Sequence, residues 1–111
     1  MDVRVKRIYD PVSRDDGRRV LVDRVWPRGV SKDKAALALW CKDVAPSTEL
    51  RKWYGHDREK FDEFARRYRE ELTGSAALAD LRGTDGVLTL LTATHEVDIS
   101  QAAVLADVLG G

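Results

Sequence analysis

The spacing of apolar and polar residues predicts four strands. In residues 3–8, Val and Ile alternate with Arg and Lys, which predicts a first strand. Residues 19–25 form a compact apolar run between turn signals, which predicts a buried second strand ending at Trp26. Residues 39–44 suggest a third strand, and residues 87–91 predict a fourth, buried one.

Helical spacing fills the segments between these strands. Apolar residues at i, i+3, i+4, i+7 and i+11 from Phe61 to Leu72 predict an amphipathic helix that is capped by Asp57 and ends at Gly74. Shorter helices are predicted to begin at four serines: Ser31, Ser47, Ser75 and Ser100, the last continuing to Leu109.

Strands that alternate with helices predict one α/β domain over residues 1–111. We expect a three-layer sandwich in which a mainly parallel sheet of about four strands is flanked by helices. The connection between the first two strands has about a dozen residues and no predicted helix. It leaves a wide hairpin and a tight crossover both open.

Composition narrows the classes of protein. With 111 residues, 43% of them hydrophobic, the chain can bury a core and is not of the disordered class. The 19 Lys+Arg balance the 19 Asp+Glu, which excludes a polycationic coat for nucleic acid. The charge is uneven, however. Residues 1–55 contain 13 Lys+Arg and 8 Asp+Glu, and residues 56–111 contain 6 and 11, so a focused anion site in the first half remains compatible with neutrality.

Cysteine usage and hydropathy predict a cytoplasmic protein. The single Cys41 excludes an internal disulfide and a cysteine-rich zinc site, and its apolar neighbours favour a buried, inert thiol over a nucleophile. The chain shows no apolar run as long as a signal peptide or a membrane span, so we predict neither secretion nor membrane association.

Ligands of open parallel sheets bind beyond the carboxyl ends of the strands. In this sequence those ends are followed by polar and titratable residues: Tyr9 and Asp10; Asp23, Arg24, Trp26, Arg28 and Gly29; Asp43, Ser47 and Thr48; Thr92, Thr94, His95 and Glu96. Because these segments meet at one edge of a parallel sheet, we predict a polar site there, with Tyr9 among its ligand-binding residues.

The segment after the second strand is the densest part of this set. Guanidinium groups bind phosphate or carboxylate in a bidentate manner, so Arg24 and Arg28 are candidates to hold an anion, and Trp26 could stack on a ring. Gly29 would allow close backbone approach, and Asp23 could orient an arginine or act as a base. The alternative is a structural Asp23–arginine ion pair with Trp26 in the core.

Three further candidates have simpler alternatives. Ser47 and Thr48 could bind an anion at a helix N-terminus or merely cap that helix. His56 could be a general acid–base oriented by Asp57, or a surface residue between a C-cap and an N-cap. His95, which follows the fourth strand, is the other candidate for proton transfer.

No cofactor motif is present. The sequence has no P-loop, no GxGxxG and no GxSxG. Its two histidines, one cysteine and scattered carboxylates lack a known metal-ligand spacing. We therefore predict neither a cofactor nor a metal site.

Several segments together resemble one protein family. They are Lys6–Asp10, Asp15–Gly17, Val22–Gly29, Trp40–Ser47, Glu49–Asp57 and Val87–Leu91. Over nearly the whole chain they are similar to the YeaO-like branch of the bacterial family known as domain of unknown function 488. The resemblance implies a single-domain cytoplasmic α/β protein and supplies no agreed biochemical activity.

The chain departs from that family at the last helix. Relatives often have His-Asn-His-Ala where this chain has Ile99-Ser100-Gln101-Ala102. The missing histidines weaken any metal site and any catalytic role at the end of the fourth strand.

Three functions remain open at the level of sequence. The first is binding of a small anionic metabolite, such as a nucleotide or sugar phosphate, with or without enzymatic activity on it. The second is a nucleic-acid-binding module, and the third is a protein-interaction module. A concave pocket would favour the first, a flat basic stripe the second and a flat apolar patch the third. The ligand, the reaction and the oligomeric state are not determined by the sequence.

Overall fold

A computed structural model describes residues 1–110. Four strands form one sheet: β1 (Asp2–Arg7), β2 (Arg18–Leu21), β3 (Leu39–Trp40) and β4 (Val87–Thr92). Five α-helices accompany them: α1 (Lys32–Ala35), α2 (Thr48–Tyr54), α3 (Phe61–Leu72), α4 (Ala76–Arg82) and α5 (Gln101–Gly110). Short 3₁₀ helices cover Arg14–Asp16, Lys42–Val44, Arg58–Lys60 and Val97–Ile99.

The sheet has the order β1-β4-β2-β3, and every pair of neighbouring strands is parallel. Leu90 of β4 is the register partner of Val5 on one side and of Val20 on the other. Since β1 and β2 flank β4, the connection between them is a crossover and not a hairpin. All four carboxyl ends therefore lie at the same edge of the sheet.

Side chains that alternate along the strands fill two cores on opposite faces of the sheet. Val20, Leu88 and Leu90 pack in the larger core, together with residues of α2 to α5. Leu21 and Leu91 pack in the smaller core with Ala35 of α1. The predicted α/β sandwich of three layers is thus confirmed.

The predicted helix with an apolar stripe is also confirmed. In α3, the side chains of Phe64, Ala65, Tyr68 and Leu72 are buried. The ring of Phe64 stacks on that of Tyr54 from α2 with a centroid separation of 4.0 Å. This aromatic contact fixes α2 against α3, and α2 forms one wall of the site described below.

The tight β1–β2 crossover depends on Gly17. Its φ is +62°, and a Cβ at this position would lie 2.4 Å from the carbonyl oxygen of Val87. Neighbouring Asp16 is buried and accepts hydrogen bonds from Lys6 and Arg19, while its own carbonyl accepts from the Thr89 hydroxyl at 2.6 Å. Because Gly17 has no side chain, the backbone can pack directly against β4, and the short connection crosses over the strand without an α-helix.

Two strands are shorter than predicted. The third was expected over residues 39–44, but only Leu39–Trp40 pairs with β2, and Lys42–Val44 forms a 3₁₀ helix. The second was expected over residues 19–25 but ends at Leu21. In both places other hydrogen bonds replace those of the β-ladder. The Ala45 N–H donates to the carbonyl of Lys42, and the Asp23 carboxylate accepts a hydrogen bond from the Ala93 N–H just after β4.

The single cysteine is buried and free, as predicted. Burial raises the pKa of the Cys41 thiol, which keeps it protonated and unreactive. Within residues 1–110, none of the helices combines the length and apolar character needed to cross a bilayer.

Candidate functional site

A cleft of about 680 Å³ opens at the carboxyl edge of the sheet. Its polar lining consists of Asp23, Arg24, Arg28, Arg51, His56, Thr94, His95, Glu96 and Gln101. Its apolar lining consists of Tyr9, Val25, Trp26, Pro27, Ala45, Pro46, Tyr54, Phe64 and Ala93. The cleft lies where parallel α/β sheets place their ligands, and its size falls within the roughly 300–1,000 Å³ of small-molecule sites.

Most of the residues predicted from the sequence meet in this cleft. The lining includes Tyr9, Asp23, Arg24, Trp26, Arg28, His56 and His95. Three other candidates are not among the lining residues: Gly29, Ser47 and Thr48. Segments far apart in sequence are brought together because the strands that precede them are parallel neighbours.

Ser47 caps α2 and is engaged by another helix. Its hydroxyl oxygen accepts a hydrogen bond from the Leu50 N–H, which is the capping alternative. Its own N–H and hydroxyl donate to the two carboxylate oxygens of Glu71 at 2.8 and 2.6 Å. The negative group at the start of this helix is therefore a carboxylate from α3.

Arg24 holds the wall of the cleft. Its Nε donates to the carbonyl of Pro46 and its Nη2 to the carbonyl of Ala45, both at 3.2 Å. Within residues 1–110 it has no carboxylate partner, so the predicted alternative of an ion pair with Asp23 is absent from this part of the chain. A guanidinium bound only to carbonyls keeps its full positive charge beside the cleft.

Two further arginines line the cleft with exposed side chains. Arg28 follows β2, and Arg51 lies one turn into α2. In the part of the chain that the structure describes, neither guanidinium forms an ion pair or donates a hydrogen bond. Both can therefore bind an anion without breaking an existing contact.

Asp23 is fixed by neutral donors. One carboxylate oxygen, Oδ1, accepts from the Thr92 hydroxyl at 2.7 Å and from the Gln101 amide, and Oδ2 accepts from the Ala93 N–H at 2.8 Å. Burial raises the pKa of Asp23 above its usual value, although these hydrogen bonds act in the opposite direction. The side chain forms no ion pair within residues 1–110.

The aromatic residues of the cleft are braced by hydrogen bonds. Trp26 is half-buried, its Nε1–H donates to the Val30 carbonyl at 2.8 Å, and its ring meets that of Trp40 edge-on at 5.2 Å. Tyr9 is 47% exposed, and its hydroxyl donates to the Arg28 carbonyl at 3.1 Å. This bond ties the loop after β1 to the loop after β2.

Both histidines reach the cleft without an orienting carboxylate. His56 is exposed and has φ of +57°, and Asp57 accepts the Glu59 N–H and so caps the next turn. His95 follows β4, and the neighbouring Glu96 pairs with Arg58 at 3.1 Å. The predicted His56–Asp57 acid–base pair is not formed, since the aspartate serves as a helix cap.

Two polar lining residues were not predicted from the sequence. Gln101, the first residue of α5, donates to Asp23, and Arg51 lies on the face of α2 that borders the cleft. A signal for Arg51 was the helical spacing of four residues from Ser47. Two signals pointed to Gln101: it begins the helix after the last strand, and it stands where relatives often have a histidine.

The donor set of the described residues does not resemble a metal centre. Among residues 1–110 there is no group of three or more His, Cys, Asp or Glu side chains placed to hold an ion. The chemistry available in the cleft is that of guanidinium cations, the half-buried carboxylate of Asp23, the exposed carboxylate of Glu96, two imidazoles and aromatic surface.

Comparisons with known proteins agree over the whole chain. It is 60% identical over 111 residues to the uncharacterised proteins Rv3073c of Mycobacterium tuberculosis and Mb3100c of Mycobacterium bovis, covering 98% of this chain and 94% of each relative. It is 41% identical over 111 residues to the uncharacterised protein YeaO of Escherichia coli, covering 96% of both. No solved structure matches the chain. A family model described as the inactive DUF488-N3 subclade matches residues 2–111, so the resemblance seen in the sequence is confirmed and the chain belongs to this subclade of the DUF488 family.

Proposed function

We propose that the cleft binds a small anionic metabolite that bears a phosphate or carboxylate group. The observation that supports this proposal is the placement of three guanidinium groups, those of Arg24, Arg28 and Arg51, around one concave site without a carboxylate partner among residues 1–110. Guanidinium groups in this arrangement complement a phosphate or carboxylate.

The charge balance of the cleft also supports binding of an anion. Two carboxylates oppose the three arginines, and one of them, on Glu96, already binds Arg58. The other, on Asp23, lies half-buried and is held by neutral donors. The arginines thus leave an excess of positive charge inside a concavity, where the field is stronger than on a flat surface.

Binding is favoured over catalysis. Neither His56 nor His95 has the oriented partner that general acid–base residues usually have, and the subclade is described as inactive. Enzymatic activity with Asp23, His56 or His95 as proton carriers remains the alternative within the same site. The lone buried cysteine accords with the cytoplasmic location expected from the sequence, which stays a prediction.

A thermal-shift screen of phosphorylated and carboxylated metabolites tests the proposal. A ligand at 100 times its dissociation constant adds about 2.7 kcal/mol of stability, which corresponds to several degrees in the melting temperature of a domain this size. We expect at least one such compound to stabilise the wild type, and the double variant Arg28→Gln/Arg51→Gln to lose the shift.

The matched control is Arg82→Gln, which removes an exposed arginine that does not line the cleft. It should keep the full shift. If no phosphate or carboxylate compound stabilises the wild type, or if the double variant responds as strongly as the control, the proposed function is wrong.

A further inference from the structure

The carboxylate of Asp23 has acceptor capacity that the fold does not use. Each carboxylate oxygen can accept about two hydrogen bonds. In Asp23, Oδ1 receives the Thr92 hydroxyl and the Gln101 amide, whereas Oδ2 receives only the Ala93 N–H. Because Asp23 lines the cleft, Oδ2 is the oxygen left to accept a donor from a bound molecule.

The donors around Asp23 also fix its orientation. A backbone N–H from the end of β4 and two side chains, one of them on α5, hold the carboxylate from three directions. An acceptor fixed in this way loses little side-chain entropy when it binds a ligand, so it can discriminate between ligands with and without a donor.

The same cleft offers apolar surface that an inorganic anion cannot use. Val25 is 59% exposed and Tyr9 is 47% exposed, and both belong to the lining together with the half-buried Trp26. The volume of about 680 Å³ is in the range of organic ligands with ring systems. A flat ring against these side chains would remove apolar surface from water on both partners.

From these three features we infer that the ligand has a phosphate group for the arginines, a ring for the apolar wall and a hydroxyl or amino donor for Asp23, which is the chemistry of a nucleoside monophosphate. This inference rests on the proposed anion site. In this arrangement Asp23 recognises the ligand by accepting a hydrogen bond and does not act as a base.

Calorimetric titration with four probes separates the parts of this ligand. The probes are inorganic phosphate, ribose 5-phosphate, and nucleoside monophosphates with one purine and one pyrimidine base. We expect both nucleoside monophosphates to bind at least tenfold more tightly than inorganic phosphate. The affinity for ribose 5-phosphate should lie between that for inorganic phosphate and that for the nucleoside monophosphates.

The variant Asp23→Asn tests the role of the carboxylate. Its amide can be accommodated, since the Gln101 amide can turn over and the Thr92 hydroxyl can rotate to accept from it. The variant replaces a charged acceptor with a neutral one, so the affinity for nucleoside monophosphates should fall about tenfold. Inorganic phosphate should bind equally well or more tightly, because a negative charge has left the cleft.

The control Asp43→Asn removes an exposed carboxylate outside the cleft and should change neither affinity. Should Asp23→Asn fail to fold, Gln101→Met gives a second test, since it deletes one of the donors that orient Asp23. It should weaken binding of nucleoside monophosphates several-fold and leave phosphate binding unchanged.

The outcomes separate this inference from the anion site itself. If phosphate binds and nucleoside monophosphates bind no more tightly, the inference is wrong and the anion site stands. The same conclusion follows if Asp23→Asn weakens both probes equally. If neither phosphate nor any organic phosphate binds the wild type, both proposals are wrong.

Discussion

Asp16, which is buried, and Asp23, which is half-buried, have opposite electrostatic surroundings. Burial raises the pKa of Asp16, but hydrogen bonds from the Ser13 N–H, Lys6 and Arg19 lower it to about 2. Burial also raises the pKa of Asp23, and there the neutral donors do not reverse the effect. The first carboxylate is committed to two cations of the fold, whereas the second has none. The contrast separates a structural carboxylate from one available to a ligand.

Replacing Asp16 by Asn should destabilise the protein strongly at neutral pH. The change leaves the buried guanidinium of Arg19 without its counter-charge, and breaking a buried pair in this way costs about 3 kcal/mol. Urea unfolding followed by circular dichroism measures the loss. The neighbouring Asp15→Asn, whose side chain is exposed, should change the free energy of unfolding by less than about 0.5 kcal/mol.

The same substitution predicts a pH dependence. The folded-state pKa of Asp16 is about 2, below its usual value near 3.9, so its stabilisation is complete above pH 4. It is lost as the pH falls from about 4 through 2. The stability difference between the wild type and Asp16→Asn should therefore shrink over this interval. A difference that is constant from pH 7 to pH 2 would contradict the assignment.

At the scale of elements, the cleft depends on how α2 meets α3. The two helices share the stacked rings of Tyr54 and Phe64, and Glu71 near the end of α3 binds the N-cap of α2. The residues before that cap, Ala45 and Pro46, supply the carbonyls that hold Arg24. The wall of the cleft is thus positioned by the contact between α2 and α3, in which Tyr54 and Phe64 line the cleft and the Ser47–Glu71 hydrogen bond lies outside its lining.

The Ser47→Ala substitution should lower the free energy of unfolding by more than the removal of an ordinary helix cap does. A cap substitution costs about 1 kcal/mol, and here the hydrogen bond from the serine hydroxyl to Glu71 is lost as well. We expect a loss of roughly 2 kcal/mol by urea unfolding. The control is Ser75→Ala in α4, where the serine hydroxyl caps Leu78 and contacts no carboxylate among residues 1–110. Equal losses in the two variants would show that the Glu71 contact adds nothing.

At the scale of the whole molecule, neutrality and a local cationic cleft coexist. The net charge is zero, and the excess of Lys+Arg lies in residues 1–55, which supply β2, α2 and the three cleft arginines. Three of these cations, Arg24, Arg28 and Arg51, line one concavity. This distribution suits a small anion better than a nucleic-acid backbone.

Binding of a 20-nucleotide single strand should therefore be weak and only mildly dependent on salt. Three phosphate contacts, one for each cleft arginine, give a slope of about −2 in a plot of log affinity against log salt. Fluorescence anisotropy between 50 and 300 mM salt measures this slope. Micromolar binding with a much steeper slope would support the nucleic-acid alternative, as would an unchanged slope in Arg28→Gln/Arg51→Gln.

Most elements of the fold, and the sheet edge at which the candidate cleft lies, could be predicted from the sequence alone. Alternation predicted the first strand, apolar runs between turn signals predicted the two buried strands, and a period of 3.6 residues predicted the long amphipathic helix. The rule that ligands bind beyond the carboxyl ends of parallel strands then predicted eight of the residues that line the cleft, including Asp23, Arg24 and Arg28.

Which side chains already have hydrogen-bond or ion-pair partners could be seen only in the tertiary structure. Ser47 is engaged by Glu71, 24 residues away, and Asp23 is held by Gln101, 78 residues away. Asp16 and Asp23 both have polar neighbours in the sequence, yet within residues 1–110 only the first of them has cationic partners, Lys6 and the buried Arg19. Such partnerships depend on which surfaces the packed layers bring together, and local periodicity does not encode that. The residues left without partners, Arg28 and Arg51 foremost among them, define the candidate site.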